Sequence, residues 1–210
     1  MPLQNRVLPS GEIVADPARG TMMGNRGGRI HDPATQMLLP RKRWYTRQWL
    51  CCQVDFNNRQ RTVMGTGYTE LFFLDEVTAL AAGHRPCFEC RRKAFLDFAE
   101  RWRRSKRRSK RPTADQMDET LNEQRLHDGE KRVHRLFWND LPTGAMIAHN
   151  GGAVAKRGNG ALVWSPSGYD AHPDPQAAFS DRLVSCLTPP ITLAVLKSGY
   201  KPQWHPSADV

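Results

Sequence analysis

The stretch LFFLDEVTALAAGHRPCFECRR, residues 71–92, decides how the first half of this chain is interpreted. It begins as a strand, and Asp75 then suits a helix N-cap, where a carboxylate accepts hydrogen bonds from free backbone N–H groups. The short alanine-rich helix that follows is expected to end at Gly83, because glycine readily adopts the left-handed conformation of a C-terminal cap. The stretch therefore predicts a strand, a short helix and a sharp turn.

A C-x-x-C pair follows this turn, formed by Cys87 and Cys90. Pro86 suits the first turn of a helix, so both cysteines are expected in the first turn of a second helix. In a reducing compartment the C-x-x-C spacing indicates a metal site or a redox pair. A redox pair of this kind is typical of a thioredoxin-like βαβ unit. No such strand pattern surrounds this pair, so we interpret it as half of a zinc site.

A zinc site needs four ligands, and Cys51 and Cys52 are the other clustered cysteines. They lie in WYTRQWLCCQVDF, residues 44–56, which is typical of a strand. Successive strand residues face opposite ways, so both thiols reach one ion only if the chain bulges there. If only one binds, His84 or His31 remains an alternative fourth donor. The predicted metal ligands are therefore Cys51, Cys52, Cys87 and Cys90, with zinc as the cofactor.

Residues 71–92 resemble the latter half of the zinc-binding N-terminal domain of the Ada family. The resemblance rests on the aromatic end of the strand, the alanine-rich helix and the matching residues Gly83, Arg85, Pro86, Cys87, Cys90 and Arg91. It implies zinc held by four cysteines, and transfer of a methyl group from a DNA phosphate to one of them. Cys51 or Cys52 would then stand in the place of the family's earlier C-x-x-x-C pair, although here the two are adjacent.

A second motif is the basic run RWRRSKRRSKR, residues 101–111. Its eight cationic residues account for most of the net charge of +10. Such a run suits phosphate contacts with nucleic acid, and a solvated helix end is the alternative. The predicted nucleic-acid-binding residues are Arg101, Arg103, Arg104, Lys106, Arg107, Arg108, Lys110 and Arg111.

The second half of the chain combines one helix signal with a β-rich region. Thr113 and Gln116 form a capping box, which predicts a surface helix that ends at Gly129 and carries solvated acids, Asp118 among them. Residues 136–185 contain short strand patterns separated by Gly and Pro, which favour a small antiparallel module. A final helix is expected after this module, closed by Gly199.

These elements predict an α+β fold with a small mixed sheet, a zinc knuckle at a helix N-terminus and a β-rich C-terminal module that ends in a helix. The predicted parts are a zinc-binding half at 1–112, a surface helix and connector at 113–135, and the β module at 136–210. The 210 residues contain no membrane-length apolar stretch and no secretory signal, so we expect a cytoplasmic protein with no membrane partner.

Three functions fit these expectations. The first is a zinc-binding protein that binds nucleic acid, either DNA or RNA, through the basic run. The second is a structural or interaction module that docks a protein partner and in which zinc only stabilises the fold. The third is a zinc-thiolate that accepts an alkyl group from DNA. A zinc deaminase is excluded because no H-x-E motif precedes the P-C-x-x-C, and the sequence leaves open whether the protein catalyses any reaction.

Overall fold

The computed structural model describes residues 1–60 and 62–209. It has the predicted α+β architecture, with five α-helices and two six-stranded sheets in the part described. The helices are α1 (Glu76–Ala81), α2 (Arg92–Ser105), α3 (Ala114–Arg125), α4 (Pro175–Phe179) and α5 (Pro190–Lys197). The strands are β1 (Gln4–Val7), β2 (Ile13–Ala15), β3 (Met22–Asn25), β4 (Leu50–Gln53), β5 (Leu71–Phe73), β6 (Arg85–Pro86), β7 (Leu126–His127), β8 (Glu130–Lys131), β9 (His134–Phe137), β10 (Met146–His149), β11 (Gly152–Arg157), β12 (Gly160–Ser165), β13 (Gly168–Ala171) and β14 (Leu183–Cys186).

The first sheet is mixed, as expected, and its strand β4 carries Cys51 and Cys52. Its strand order is β2-β1-β5-β3-β4-β6. The pairs β1–β5 and β4–β6 are parallel, and the other neighbours are antiparallel. Asp75 caps α1 by accepting the backbone N–H of Thr78 at 2.8 Å, and Gly83 ends this region with φ of +95°. Both predictions from the local sequence are confirmed.

The second sheet is the antiparallel C-terminal module, in the order β13-β12-β11-β10-β14-β9. The strands β10, β11 and β12 lie in the region where strand patterns were predicted, and both faces of the sheet are buried. Met146, Ala155 and Leu162 pack into one core, and Ile147, Val154 and Ala161 pack into another. The module is followed by α5, and Gly199 ends that helix with φ of +93°. The β module with its terminal helix is therefore present.

The helices α2, α3 and α5 pack together in one core. The stripe Phe95, Phe98 and Trp102 on α2 is buried there, together with Leu121 of α3 and Val195 of α5. Each such side chain contributes about 1.5–3 kcal/mol by its burial. The division of the chain at residues 112 and 135 stays a prediction, although the parts that it separates share this core.

Two expectations about α3 are wrong. The capping box of Thr113 and Gln116 forms as predicted, but the helix ends at Arg125 and Gly129 lies in the turn between β7 and β8. Asp118 is buried rather than solvated. Its carboxylate accepts two hydrogen bonds from Arg85, at 2.6 and 2.8 Å, and this paired charge explains the burial.

None of the helices that the structure describes has the length and apolar character needed to cross a membrane.

Candidate metal centre

Strand β4 presents its two cysteines to opposite sides of the sheet. It pairs with β3 without a bulge, since Cys52 lies opposite Met23 and Cys51 opposite Gly24 in continuous register. Alternation along a regular strand therefore separates the two thiols. The bulge that would have brought both to one ion is not formed.

The short strand β6 brings the C-x-x-C pair to β4. The two strands run parallel, with Cys51 aligned with Pro86, and the Cys87 N–H donates to the Cys51 carbonyl at 2.9 Å. The residue that follows this aligned pair is Cys52 on β4 and Cys87 after β6, so these two cysteines lie side by side. The chain turns directly afterwards, where the Arg91 N–H donates to the Cys87 carbonyl at 3.1 Å, and this turn returns Cys90 to the pair.

The knuckle lies before α2 rather than in its first turn. Helix α2 begins at Arg92, after the turn that contains Cys87 and Cys90. Pro86 therefore does not start this helix. It lies in β6, where proline is tolerated because the strand is at the edge of the sheet. The expectation of a first-turn position is wrong, whereas the position at the N-terminal end of α2 is confirmed.

Three sulfur atoms meet at this point, those of Cys52, Cys87 and Cys90. All lie within 4.8 Å of one another. Around a tetrahedral zinc with 2.3 Å bonds, sulfur atoms lie roughly 3.8 Å apart, so a small adjustment closes the triad on an ion. Soft thiolate ligands suit zinc, copper(I) or iron–sulfur chemistry. The donor set fits a metal ion, and zinc is one that it accommodates.

The three thiols influence each other's protonation. The thiols of Cys52 and Cys90 donate to the Cys87 sulfur, which lowers the Cys87 pKa, and backbone N–H groups of the knuckle lower it further. The same interaction raises the pKa of Cys52, since that thiol holds its proton as the donor. The pKa of Cys90 is also raised, because the hydrogen bond from Cys52 that lowers it is outweighed by the hydrogen bond to Cys87 and by burial. Among the three thiols, the ionised form is therefore favoured at Cys87.

Cys51 lies outside this group. Its side chain is buried in the core of the first sheet with Val7, Ile30 and Phe73. Burial raises the pKa of the Cys51 thiol, and the sulfur accepts a hydrogen bond from Arg91 Nη1 at 3.4 Å. The structure therefore brings together three of the four predicted cysteines and holds the fourth on the other face of β4.

The two alternative histidine donors are also engaged elsewhere. His84 is fully buried against Trp49 and Phe73, and its Nε2 accepts from Arg26 Nε at 3.4 Å. His31 is bonded to Thr69 Oγ1 at 2.6 Å and to the Gly65 carbonyl at 2.8 Å. Within residues 1–60 and 62–209, no fourth Cys, His, Asp or Glu joins the thiol group.

A buried ion pair fixes the residue that follows the knuckle. Arg91 donates to both carboxylate oxygens of Glu76, at 2.7 and 2.8 Å. Glu76 also accepts from the Tyr200 hydroxyl at 2.6 Å and from the Gln203 N–H at 2.9 Å. Arg91 belongs to the motif that resembles the Ada family, and the sequence indicates no role for it. The partners lie in α1 and after α5, so local sequence patterns could not reveal this network.

A cavity of about 280 Å³ opens beside the three thiols. Leu50 and Phe72 give it apolar walls, while the buried carboxylate of Glu70 adds a polar group that accepts the Met64 N–H at 2.8 Å. At its edge Arg59 and Glu89 form an exposed ion pair at 2.6 Å. Three protein ligands beside a cavity resemble metal sites whose fourth position takes water or substrate.

The basic run begins on the C-terminal part of α2, away from the thiols. At 1.5 Å per residue, the 14 residues of α2 separate the knuckle from the far end of the helix by about 21 Å. Glu100 pairs with Arg103, Arg104 and Arg111, and Arg101 pairs with Asp97 and donates to the Ser198 carbonyl. Exposed cations whose side chains have no partner among the described residues are Lys106, Arg107, Arg108 and Lys110.

Comparison with family models, with curated proteins and with solved structures finds no match for this chain. The fold and the site define an α+β protein with a candidate three-thiol metal centre.

Proposed function

We propose that this chain is a zinc protein that binds nucleic acid. Cys52, Cys87 and Cys90 hold the ion, and the exposed cations that follow α2 contact phosphates. The proposal depends on the meeting of three sulfur atoms from two distant stretches of the chain. Three thiols at this spacing match the ligand type and geometry of a zinc site, and the five cysteines are free rather than joined in disulfides.

The nucleic-acid contact is supported by the charges that remain unpaired. Glu100 and Asp97 pair with four of the eight cations of the basic run, although their two negative charges offset only two of the positive ones. The other four face solvent on a short segment, where their fields add and attract a polyanion. Four phosphate contacts give a plot of log affinity against log salt with a slope of about −3.6 on duplex DNA, and eight would give about −7.

The test replaces the four unpaired cations, Lys106, Arg107, Arg108 and Lys110, by Gln. Fluorescence anisotropy with a short DNA duplex, at a series of salt concentrations, measures affinity and slope for the zinc-loaded protein. We expect the variant to lose most of its affinity and most of the slope, equally for different DNA sequences, because phosphate contacts carry no base information.

A matched control loses the same charge elsewhere, through replacement of Arg41, Lys93, Lys197 and Lys201 by Gln. All four are exposed. A slope near zero for the wild-type protein, or an equal loss of affinity in both variants, would contradict the proposal. Zinc content is measured on the same samples, so that failure of the metal centre is separated from failure of the basic run.

The cavity favours a second candidate, in which a zinc-bound thiolate accepts an alkyl group. The sulfur of Cys52 would attack the methyl carbon of a methylated phosphate. A carbon–sulfur bond forms, the carbon–oxygen bond breaks, and the phosphodiester leaves as an anion. Bound zinc would supply the ionised thiolate. This reading agrees with the Ada resemblance of residues 71–92, and the position of Cys52 on the cavity wall supports it.

Intact-mass measurement decides this candidate. The zinc-loaded protein is incubated with DNA that carries methyl phosphotriesters, and we expect one added methyl group, located at Cys52 by peptide mapping. The Cys52→Ser variant removes the acceptor, and Cys51→Ser is the neighbouring control. An unchanged mass for the zinc-loaded wild-type protein would exclude alkyl transfer and leave the nucleic-acid proposal standing.

A further inference from the structure

Two buried arginines lie against one tryptophan on the side of α1 and α3. The guanidinium carbons of Arg26 and Arg125 are 3.8 and 4.0 Å from the ring centre of Trp49. Both arginine side chains are among the largest fully buried ones in the described chain. A third basic group, Lys131, donates to the Ala81 carbonyl at 2.6 Å, and burial lowers its pKa to about 7. The cluster thus concentrates positive charge inside the protein.

Nearby carboxylates compensate this charge only in part: burial lowers the pKa of Arg125 to about 9, although the charge of Asp118, which is itself paired with Arg85, raises it. Arg26, Arg125 and Lys131 form no ion pair with any residue in the described part of the chain. The two arginines donate only to neutral groups, which are the carbonyls of Gly11, Arg43, Arg47 and Gly83, the Asn122 side chain and the His84 ring. Buried charges are costly without a partner of opposite sign, so this arrangement suits a bound anion.

The same cluster also has more hydrogen-bond donors than acceptors. The Trp49 Nε1 and the Arg125 Nε are buried without a partner in the described structure, and so is the Nδ1 of His84. His84 does not line the cavity beside this cluster, so the unpaired donors that bear on a ligand are those of Trp49 and Arg125. A surplus of donors beside unpaired cations indicates an acceptor-rich, negatively charged ligand.

A cavity of about 350 Å³ lies against these cations. Arg26, Arg43, Arg125 and Lys131 line it, and the half-exposed Trp44 ring lies at 6.2 Å from Trp49. Two exposed carboxylates, Glu12 and Glu130, also line it. Neither forms an ion pair with a described residue, so the positive groups remain in excess.

We infer that this cavity, here named the Trp49 cavity, binds a phosphate group. The guanidinium groups and Lys131 match the charge of phosphate, and guanidinium donors match its oxygen geometry. The Trp44 ring beside them offers a face on which a base can stack, as in sites that hold nucleotides. The inference goes beyond the proposed function, because it uses neither the thiols nor the basic run.

Isothermal titration calorimetry with adenosine monophosphate, adenosine and inorganic phosphate tests the inference. The buried arginines are kept, since their loss would disturb folding, and the variants are Arg43→Gln and Lys131→Gln at the cavity wall. We expect adenosine monophosphate to bind, adenosine to fail, and each variant to weaken binding about tenfold, as for loss of one charge-assisted hydrogen bond. The control is Arg41→Gln, an exposed neighbour that does not line the cavity.

Further arms identify the source of the phosphate. If inorganic phosphate binds as tightly as adenosine monophosphate, the site is one for free phosphate. If inorganic phosphate binds more weakly than adenosine monophosphate, the site is one for a nucleotide. Oligonucleotides with a 5′-phosphate and with a 5′-hydroxyl then show whether a nucleic-acid end is accepted.

All titrations are repeated with the variant in which Lys106, Arg107, Arg108 and Lys110 are replaced by Gln. Binding at the basic run then cannot affect the outcome. Absence of binding by both nucleotide and phosphate at millimolar concentration would overturn the inference. Equal affinities of the wild-type protein, Arg43→Gln and Lys131→Gln would overturn it as well.

Discussion

The thiols of Cys51 and Cys52 lie on opposite faces of β4, although the two residues are adjacent. Cys52 faces the cavity with Cys87 and Cys90, and Cys51 faces the core, where Arg91 donates to its sulfur at 3.4 Å. Two cysteines of one dipeptide therefore have different roles. One is available to a metal ion, and the other is a packed core residue.

This separation predicts different effects of two matched substitutions. Cys52→Ser removes one of three sulfur donors, so purified protein should retain little zinc. Cys51→Ser leaves the triad intact and should retain the wild-type amount. Zinc per chain, measured by elemental analysis on freshly purified protein, checks the difference. Equal zinc contents in the two variants would show that the assignment of Cys52 is incorrect.

The ion pairs of Glu100 predict a gain of nucleic-acid affinity on their removal. Glu100→Gln frees Arg103, Arg104 and Arg111, so the plot of log affinity against log salt should steepen by up to about 3 units. Glu123→Gln is the control, since it makes the same change of charge on an exposed α3 residue without an ion pair in the described structure. The prediction fails if both variants show the same slope.

The same carboxylate predicts a dependence of stability on pH. Hydrogen bonds from Arg103 and Arg104 lower the pKa of Glu100 from 4.5 to about 2. The ionised form is thus favoured in the folded state, and its contribution to stability is present above pH 4.5 and lost as pH falls towards 2. The difference in unfolding free energy between wild type and Glu100→Gln should shrink over this range in urea titrations. High salt should reduce this difference wherever Glu100 is ionised, because the ion pairs are partly exposed to solvent.

The buried pair of Arg91 and Glu76 predicts a large loss of stability. Glu76→Gln leaves the Arg91 charge buried without a partner, which costs about 3–5 kcal/mol. The exposed pair of Arg47 and Glu119 is the matched control, and Glu119→Gln should cost about 0–1 kcal/mol. Urea unfolding of the zinc-loaded proteins measures both values. A cost for Glu76→Gln as small as that of the control would contradict the role of this pair.

Features that depend on neighbouring residues were predicted from the sequence. The Asp75 cap, the Gly83 turn and the capping box of Thr113 involve groups within a few residues of one another. Their geometry is decided by local dihedral preferences and by hydrogen bonds across one helical turn. The strands of the C-terminal module were also predicted, because turn residues separate short apolar stretches there.

The composition of the site was decided by contacts between distant residues. Which adjacent cysteine faces Cys87 follows from the register of β4 with β3 and β6, and a bulge of one residue would have reversed it. The burial of Asp118 follows from Arg85, which is 33 residues away in the chain. The convergence of Arg26, Arg125 and Lys131 likewise has no local signal. Sequence alone therefore determined the local turns and the chemistry available, whereas tertiary packing decided which side chains meet, because only chain folding sets the distances between remote segments.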